Sequence, residues 1–193
     1  MRIVAGEFRG RPLATPAGQA IRPTSDRVRQ TLFDILTHAY GDPVKGGRVL
    51  DLFAGTGALG IEAISRGAAS VVFVDEGAEA RGLIRANVEA FGLTGRTRIF
   101  RRDATRLGDR GTVPPFDVIF ADPPYGKGLG EKALASALAG GWLKPAATVV
   151  LEEDAAVTVG PVDGLEIREI RHIGDTQIVF LAPVNLAGAA SRP

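Results

Sequence analysis

The feature that most constrains the fold is an apolar segment that runs into a glycine-rich turn at residues 49–60. The apolar segment has the length of a buried β-strand, and a helix is predicted at about 58–66. Gly55, Gly57 and Gly60 match the spacing G-x-G-x-x-G, in which absent side chains permit a tight turn, close approach of a ligand and close helix–strand packing. The N–H groups at the start of the helix would then face a ligand.

Two carboxylates near this turn narrow the class of ligand. Asp75 lies twenty positions after Gly55, after a second apolar run, where it can accept hydrogen bonds from both hydroxyls of a ribose. Asp51 lies four positions before Gly55, where its charge would repel a pyrophosphate but suit an ammonium group. The two positions together favour S-adenosylmethionine over NAD as a nucleoside-containing cofactor.

Length and composition limit the number of domains and the kinds of site that the chain can form. A chain of 193 residues with 45% hydrophobic and 23% charged residues suits one α/β domain with a full core. The absence of cysteine excludes disulfides, a thiolate nucleophile and a Cys-ligated metal, and two isolated histidines make a zinc site improbable. No apolar run reaches the roughly 18 residues of a membrane span. We expect a cytoplasmic monomer that uses no metal and binds no membrane.

Strand and helix patterns alternate from residue 48 to residue 151, and two strands of alternating polarity follow at 164–171 and 176–181. This order predicts a doubly wound α/β domain with a seven-stranded, mostly parallel sheet and a final antiparallel hairpin. We assign the domain to residues 24–183, an N-terminal arm to 1–23 and a disordered tail to 184–193.

The N-terminal arm is strongly basic and rich in Gly and Pro, so we expect it to lie outside the core. Six arginines face only Glu7 and Asp26 over the first 29 residues: Arg2, Arg9, Arg11, Arg22, Arg27 and Arg29. Arginine forks suit phosphate groups, although a solvated charged face explains the charge alone equally well. A helix is predicted after Thr24 or Ser25, with Arg27 and Arg29 off its apolar stripe and free to face a ligand.

The segment Asp122-Pro123-Pro124-Tyr125 directly follows a buried strand. Its two prolines remove two N–H donors and stiffen the turn, which leaves a wall of acceptors. Such a wall fits a planar exocyclic amine, with its N–H donors bonded to the Asp122 carboxylate and the Pro123 carbonyl and its ring stacked on Tyr125. A base within a duplex cannot reach this crevice, so the target is flipped out or single-stranded.

Asp103 ends the third predicted strand and can therefore reach the same crevice. From this position Asp103 could accept a hydrogen bond from an adenine amino group, or it could cap a helix. Arginines 96, 98, 101 and 102 surround this strand and indicate either a solvated edge or a second RNA patch.

The motifs at 53–60, Asp75 and 122–125 resemble those of class I, Rossmann-like S-adenosylmethionine methyltransferases that act on amino nitrogens. The segments 1–11 and 22–29 narrow this likeness to the RsmD family, which methylates N2 of a guanine in 16S ribosomal RNA. The resemblance extends to about Pro183. It implies that Asp75 and the turn from Asp51 through Phe53 to Gly60 hold the cofactor. It also implies that Asp103 binds the adenine of the cofactor and that residues 122–125 bind the guanine. The partner would be 16S ribosomal RNA or the small ribosomal subunit.

Three alternatives remain open at this stage. An adenine-N6 DNA or RNA methyltransferase would use the same wall of acceptors but usually needs a separate target-reading region. A protein glutamine-N5 methyltransferase would also hold an amide nitrogen, but it leaves the basic arm without a purpose. An NAD-binding oxidoreductase explains the glycines and Asp75 but neither Asp51 nor the Pro-Pro-Tyr turn.

Overall fold

The computed structural model describes residues 1–16 and 25–184. In that part of the chain four helices and seven strands alternate, in the order α1 (Asp26–Ala39), β1 (Arg48–Leu52), α2 (Ala58–Ser65), β2 (Ser70–Val74), α3 (Ala78–Ala90), β3 (Thr97–Phe100), β4 (Phe116–Ala121), α4 (Leu129–Ala139), β5 (Leu143–Asp154), β6 (Leu165–Ile173) and β7 (Thr176–Pro183). Short 3₁₀ turns at Thr94–Arg96 and Ala104–Arg106 precede and follow β3.

All seven strands form one sheet in the order β3-β2-β1-β4-β5-β7-β6. The pairs from β3 to β5 are parallel, whereas β7 pairs with β5 and β6 in antiparallel fashion. The strand order reverses between β1 and β4, which creates a crevice at their carboxyl ends. The predicted doubly wound sheet with a final hairpin is therefore confirmed, and β5 starts earlier than the predicted 147–151 strand.

The central strands are apolar on both faces because helices cover both sides of the sheet. In β1, Val49 faces a core shared with α1, α2 and α3, whereas Leu50 and Leu52 face a second core shared with α4. Both cores press on the same backbone, so the carboxyl ends of the strands are held rigidly.

The N-terminal segment was predicted to lie outside the core, and that part of the prediction is wrong. Ile3, Phe8 and Leu13 are buried in the core that contains α2 and α3. Residues 1–3 pair with 11–13, through Ile3 N–H donating to the Arg11 carbonyl at 3.0 Å and Leu13 N–H to the Met1 carbonyl at 3.2 Å. These apolar residues are widely spaced among Gly, Pro and Arg, so no local periodicity shows that they are buried. Residues 17–23 of the arm and 185–193 of the predicted tail lie outside the described residues.

Ser25 caps α1, because its hydroxyl accepts a hydrogen bond from Val28 N–H at 3.1 Å. The predicted position of Arg29 on this helix is wrong: its side chain is fully buried. Arg29 follows the spacing of Leu32, Phe33 and Leu36, so it lies on the buried face of α1. It therefore cannot contact a phosphate at the surface.

The buried carboxylate of Glu62, on α2, compensates this arginine together with Asp26, which pairs with Arg29 at 2.8 Å, and it anchors the N-terminal segment. It accepts hydrogen bonds from Val4 N–H at 2.8 Å and Ala5 N–H at 3.0 Å. Its other contacts are an ion pair with Arg66 at 2.8 Å and a longer one with Arg29 at 3.7 Å. One carboxylate thus joins α1, α2 and the N-terminal segment.

We expect Glu62→Gln to lower the free energy of unfolding by about 3 kcal/mol, because it removes the partner of Arg66 and leaves the buried Arg29 with Asp26 as its remaining carboxylate. Urea denaturation would measure this loss. The matched control is Glu166→Gln, which breaks an ion pair with Arg168 whose side chains are about half exposed (45% and 51%), and which should cost less than about 1 kcal/mol. Equal losses in the two variants would contradict the anchoring role of Glu62.

Candidate active site

A cavity of about 670 Å³ opens at the carboxyl ends of β1, β2, β4 and β5. This volume suits a cofactor-sized ligand. Most of the predicted site residues line it together: Asp51, Phe53, Gly55, Asp75, Asp103, Asp122, Pro123, Pro124 and Tyr125. Asp51 and Tyr125, which are 74 positions apart in the sequence, therefore share one site, as the strand-end argument predicted.

The glycine turn has the conformation that its spacing predicts. Gly55 and Gly57 adopt positive φ values of 57° and 78°, which only glycine reaches readily. Gly60 lies one helical turn further on, where an added Cβ would stand 2.3 Å from the Phe73 ring. The first two glycines therefore shape the turn, and the third lets α2 lie against β2. Phe53, with φ of 58°, is also in the left-handed region although it carries a side chain.

Asp75 bridges the turn and the start of α3. Its two oxygens accept hydrogen bonds from Gly55 N–H at 2.9 Å and from Gly77 N–H at 2.8 Å. A carboxylate offers about four acceptor positions, so both oxygens retain capacity for further donors. The carboxylate is therefore held in a fixed orientation at the wall of the cavity.

Asp51 is the most unusual charge in the site, because it is 1% exposed yet lines the cavity. Its Oδ2 accepts a hydrogen bond from Gly60 N–H at 3.0 Å. The pKa of Asp51 is raised to about 8, chiefly by burial and to a smaller extent by the nearby Asp75, while the Gly60 hydrogen bond opposes the rise. A cation placed beside this carboxylate would favour its ionised form.

Asp103 has the predicted capping role, whereas its contact with an adenine stays a prediction. Its Oδ1 accepts hydrogen bonds from Thr105 N–H at 2.9 Å and from the Thr105 hydroxyl at 2.7 Å, and so caps the following 3₁₀ turn. These bonds hold the pKa of Asp103 below its usual range, with a smaller contribution from Arg106. The residue also lines the cavity.

The stretch 122–125 forms one wall of the cavity, beside β5 and β7. The Tyr125 hydroxyl donates to Glu152 Oε1 at 2.7 Å. The phenol is partly buried, and burial, Glu152 and Asp122 together raise the pKa of Tyr125 above its usual range, while a hydrogen bond with Thr176 opposes them. Tyr125 therefore remains a neutral phenol with its ring oriented by two neighbouring strands.

Sequence reasoning missed several residues that line the cavity, chiefly Glu152, Thr176 and Met1. Glu152 is 4% exposed and Thr176 is 6% exposed. One signal was available, since Glu152 ends an apolar strand just as Asp75 and Asp122 do. The other two come from the final hairpin and the N-terminal segment, whose positions depend on long-range packing.

The five arginines predicted to contact RNA divide into distinct groups. Arg9 and Arg27 are exposed, Arg29 is buried, and Arg22 lies outside the described residues. Arg11 donates to the Ala90 carbonyl at 2.6 Å, and its guanidinium lies 4.1 Å from the centre of the Phe91 ring. Arg11 therefore also serves to attach the N-terminal segment to α3.

Within residues 1–16 and 25–184, no group of three or more His, Cys, Asp or Glu side chains could hold a metal ion. In the same part of the chain, no helix has the length and apolar character needed to cross a membrane.

Comparisons with known proteins identify relatives of this chain. The family model described as "Conserved hypothetical protein 95" matches residues 1–182. A relative from Escherichia coli, "Ribosomal RNA small subunit methyltransferase D", is 37% identical over 158 residues, which cover 80% of this chain and 75% of the relative.

Two solved structures have the same fold. The first is yhhF from Escherichia coli, with a TM-score of 0.79 and 29% identity over 95% of this chain and 97% of that one. The second is the Thermus thermophilus 16S rRNA N2 G1207 methyltransferase in complex with AdoMet and guanosine, with a TM-score of 0.66 and 21% identity. The matched region covers 86% of this chain and 44% of the Thermus thermophilus chain, and at this identity the likeness shows the fold alone. From the family model and the Escherichia coli relative, this chain belongs to the RsmD family.

Proposed function

We propose that this protein transfers a methyl group from S-adenosylmethionine to the exocyclic N2 of a guanine in 16S ribosomal RNA. The observation that carries the proposal is one cavity in which a buried carboxylate and a glycine turn lie beside the wall of acceptors at 122–125. The relatives named ribosomal RNA small subunit methyltransferase D support an RNA substrate.

The charge and the volume of the cavity suit the proposed cofactor. Asp51 would hold its ammonium group, and Asp75, already oriented by Gly55 and Gly77, would accept from its ribose hydroxyls. Asp103 would accept from the adenine amino group, beside apolar walls that include Val74 and Ala80. When bound, S-adenosylmethionine supplies an electrophilic methyl group on a sulfonium sulfur.

The chain's own contribution to the reaction is the orientation of the target amine. The Asp122 carboxylate and the Pro123 carbonyl accept its two N–H donors, which points the nitrogen toward the cofactor and lets proximity supply most of the rate enhancement. Tyr125, held by Glu152 and Thr176, stacks on the base. Asp122 is also placed to accept the proton that the amine loses. The target nucleotide must be flipped out or single-stranded to enter.

The exposed arginines Arg9 and Arg27 remain in the proposal as contacts to RNA phosphates, together with Arg22. Phosphate contacts position a nucleic acid without reading its sequence. The choice of guanine over adenine is therefore assigned to the cavity and not to the N-terminal segment.

The role of Asp51 can be tested through proton release. With its pKa near 8, the free carboxyl is mostly protonated at pH 6.5, whereas holding an ammonium group requires the ionised form. Binding at pH 6.5 should therefore release up to one proton, and affinity should rise as the pH approaches 8. Asp51→Asn should lose this proton release and about 1.5–3 kcal/mol of binding free energy. Calorimetry in two buffers of different ionisation enthalpy measures both the proton release and the binding free energy. If the wild type and Asp51→Asn showed the same dependence on the buffer, Asp51 would be excluded as the ammonium ligand.

Asp122→Asn replaces one acceptor by a donor at nearly constant shape. We expect turnover to fall at least about a hundredfold while the affinity for S-adenosylmethionine changes less than about twofold, because Asp122 positions the amine. Tyr125→Ala should lower turnover through the loss of about 1–3 kcal/mol of stacking, and Tyr125→Phe, which keeps the ring, is its matched control. Single-turnover rates measure methyl transfer, and cofactor titrations measure the affinity for S-adenosylmethionine separately. Normal turnover in Asp122→Asn would show that the crevice serves another purpose.

The function itself is tested with labelled S-adenosylmethionine and 16S ribosomal RNA, or small subunits, from cells that lack the protein. We expect one guanine to acquire a single methyl group on N2, identified by nuclease digestion and mass spectrometry. Transfer to adenine, or to protein and not to RNA, would replace the proposal by one of the two methyltransferase alternatives.

A further inference from the structure

Strand β3, at one edge of the sheet, is surrounded by positive charge. Residues 96–110 contain six arginines against two aspartates, Asp103 and Asp109. We call these arginines the β3 surface: Arg96, Arg98, Arg101, Arg102, Arg106 and Arg110. Four of them, at positions 98, 101, 102 and 106, are exposed. A charge excess of one sign over so short a segment attracts anions.

Within the described part of the chain, no arginine of the β3 surface forms an ion pair, whereas Arg29, Arg66, Arg168 and Arg171 all do. Backbone carbonyls hold three of the six guanidinium groups instead: Arg96 donates to Ala68, Arg102 to Leu107 at 2.7 Å, and Arg110 to Val113 at 2.6 Å. A carbonyl orients a guanidinium without neutralising it. Apart from a small electrostatic interaction of Arg106 with Asp103, these charges are therefore positioned without a carboxylate partner.

The opposite edge of the sheet provides a comparison within the same molecule. Charged residues on edge strands commonly prevent aggregation, and this purpose applies to both edges. On β6, however, Arg168 pairs with Glu166 and Arg171 pairs with Glu169, each at 2.5 Å. Edge protection is thus achieved there with balanced charge, so it does not account for the single sign of the β3 surface.

The β3 surface is also continuous with the candidate active site. Arg102 lines the cavity, and its guanidinium lies 5.5 Å from the ring centres of both Phe100 and Trp142. At the amino end of β3, Arg96 and Arg98 line a groove of about 320 Å³ together with Arg48 and Ser70. The buried Nε of Arg48 has no hydrogen-bond partner within the described residues. Positive charge therefore extends from the cavity along the edge of the sheet to this groove.

We propose that the β3 surface binds the RNA backbone next to the target nucleotide, in addition to the N-terminal arginines. This inference rests on the proposed function, because it presumes an RNA substrate in the cavity. Arginine forks match phosphate geometry, and each phosphate neutralised releases counterions. A strand that delivers its guanine to residues 122–125 would pass Arg102 and continue along β3.

The test uses a triple variant, Arg98→Gln, Arg101→Gln and Arg106→Gln, in the full chain. These side chains are exposed and make no hydrogen bond or ion pair within the described residues, so thermal unfolding should not change. The matched control is Arg168→Gln with Arg171→Gln on β6. Binding to 16S ribosomal RNA is measured at several salt concentrations, together with kcat, KM for RNA and the affinity for S-adenosylmethionine.

We expect the triple variant to reduce the slope of log K against log salt by about 2 to 3 and to raise KM for RNA about tenfold or more. Its kcat and its cofactor affinity should stay at the wild-type values, and the β6 control should match wild type throughout. If the triple variant unfolds more readily than the wild type, the three single variants provide the test instead. Each of them should show about a third of the change in slope. A triple variant that binds RNA like the wild type, while the wild type methylates RNA, would overturn this inference alone. A wild-type protein that transfers no methyl group to RNA would overturn the proposed function and this inference with it.

Discussion

The close contact of α2 with β1 and β2 is the constraint on which the rest of the structure depends. All eight residues of α2 are buried. Gly60 permits this approach because any side chain there would collide with Phe73, and the Gly60 N–H donates to Asp51 across the same contact. The position of α2 in turn fixes the glycine turn at its start and the Glu62 carboxylate in its second turn. One helix thus carries the cofactor side of the site and the anchor of the N-terminal segment.

The site contains carboxylates whose burial is unfavourable unless hydrogen-bond donors compensate it. Asp51 and Glu152 are almost wholly buried, and burial alone disfavours an ionised carboxylate. Each is supported by a fixed donor, the Gly60 N–H or the Tyr125 hydroxyl. A buried carboxylate such as Asp51 fits a site whose ligand is cationic, because the ligand then offsets the cost of burying the charge.

The two edges of the sheet show how similar residues acquire different roles through their neighbours. Arginine occurs on β6 and around β3, but carboxylates two positions before it neutralise the charge on β6. Around β3, carbonyl groups orient several arginines and leave the charge available. Ion pairing, and not arginine content, therefore separates a protected edge from a candidate interface.

The sequence by itself determined the local chemistry and the order of the elements. The glycine spacing, the carboxylates that end the strands and the rigid 122–125 turn are contiguous patterns, and strand ends converge in any parallel α/β sheet. Only the tertiary structure decided which charges are buried and which are paired. Arg29 has a local partner in Asp26, but its second carboxylate is Glu62 from another helix, and the orientation of Tyr125 depends on Glu152 and Thr176 from two other strands. Glu62, Glu152 and Thr176 lie 27 to 51 positions from the residues they contact, so no local periodicity encodes these contacts.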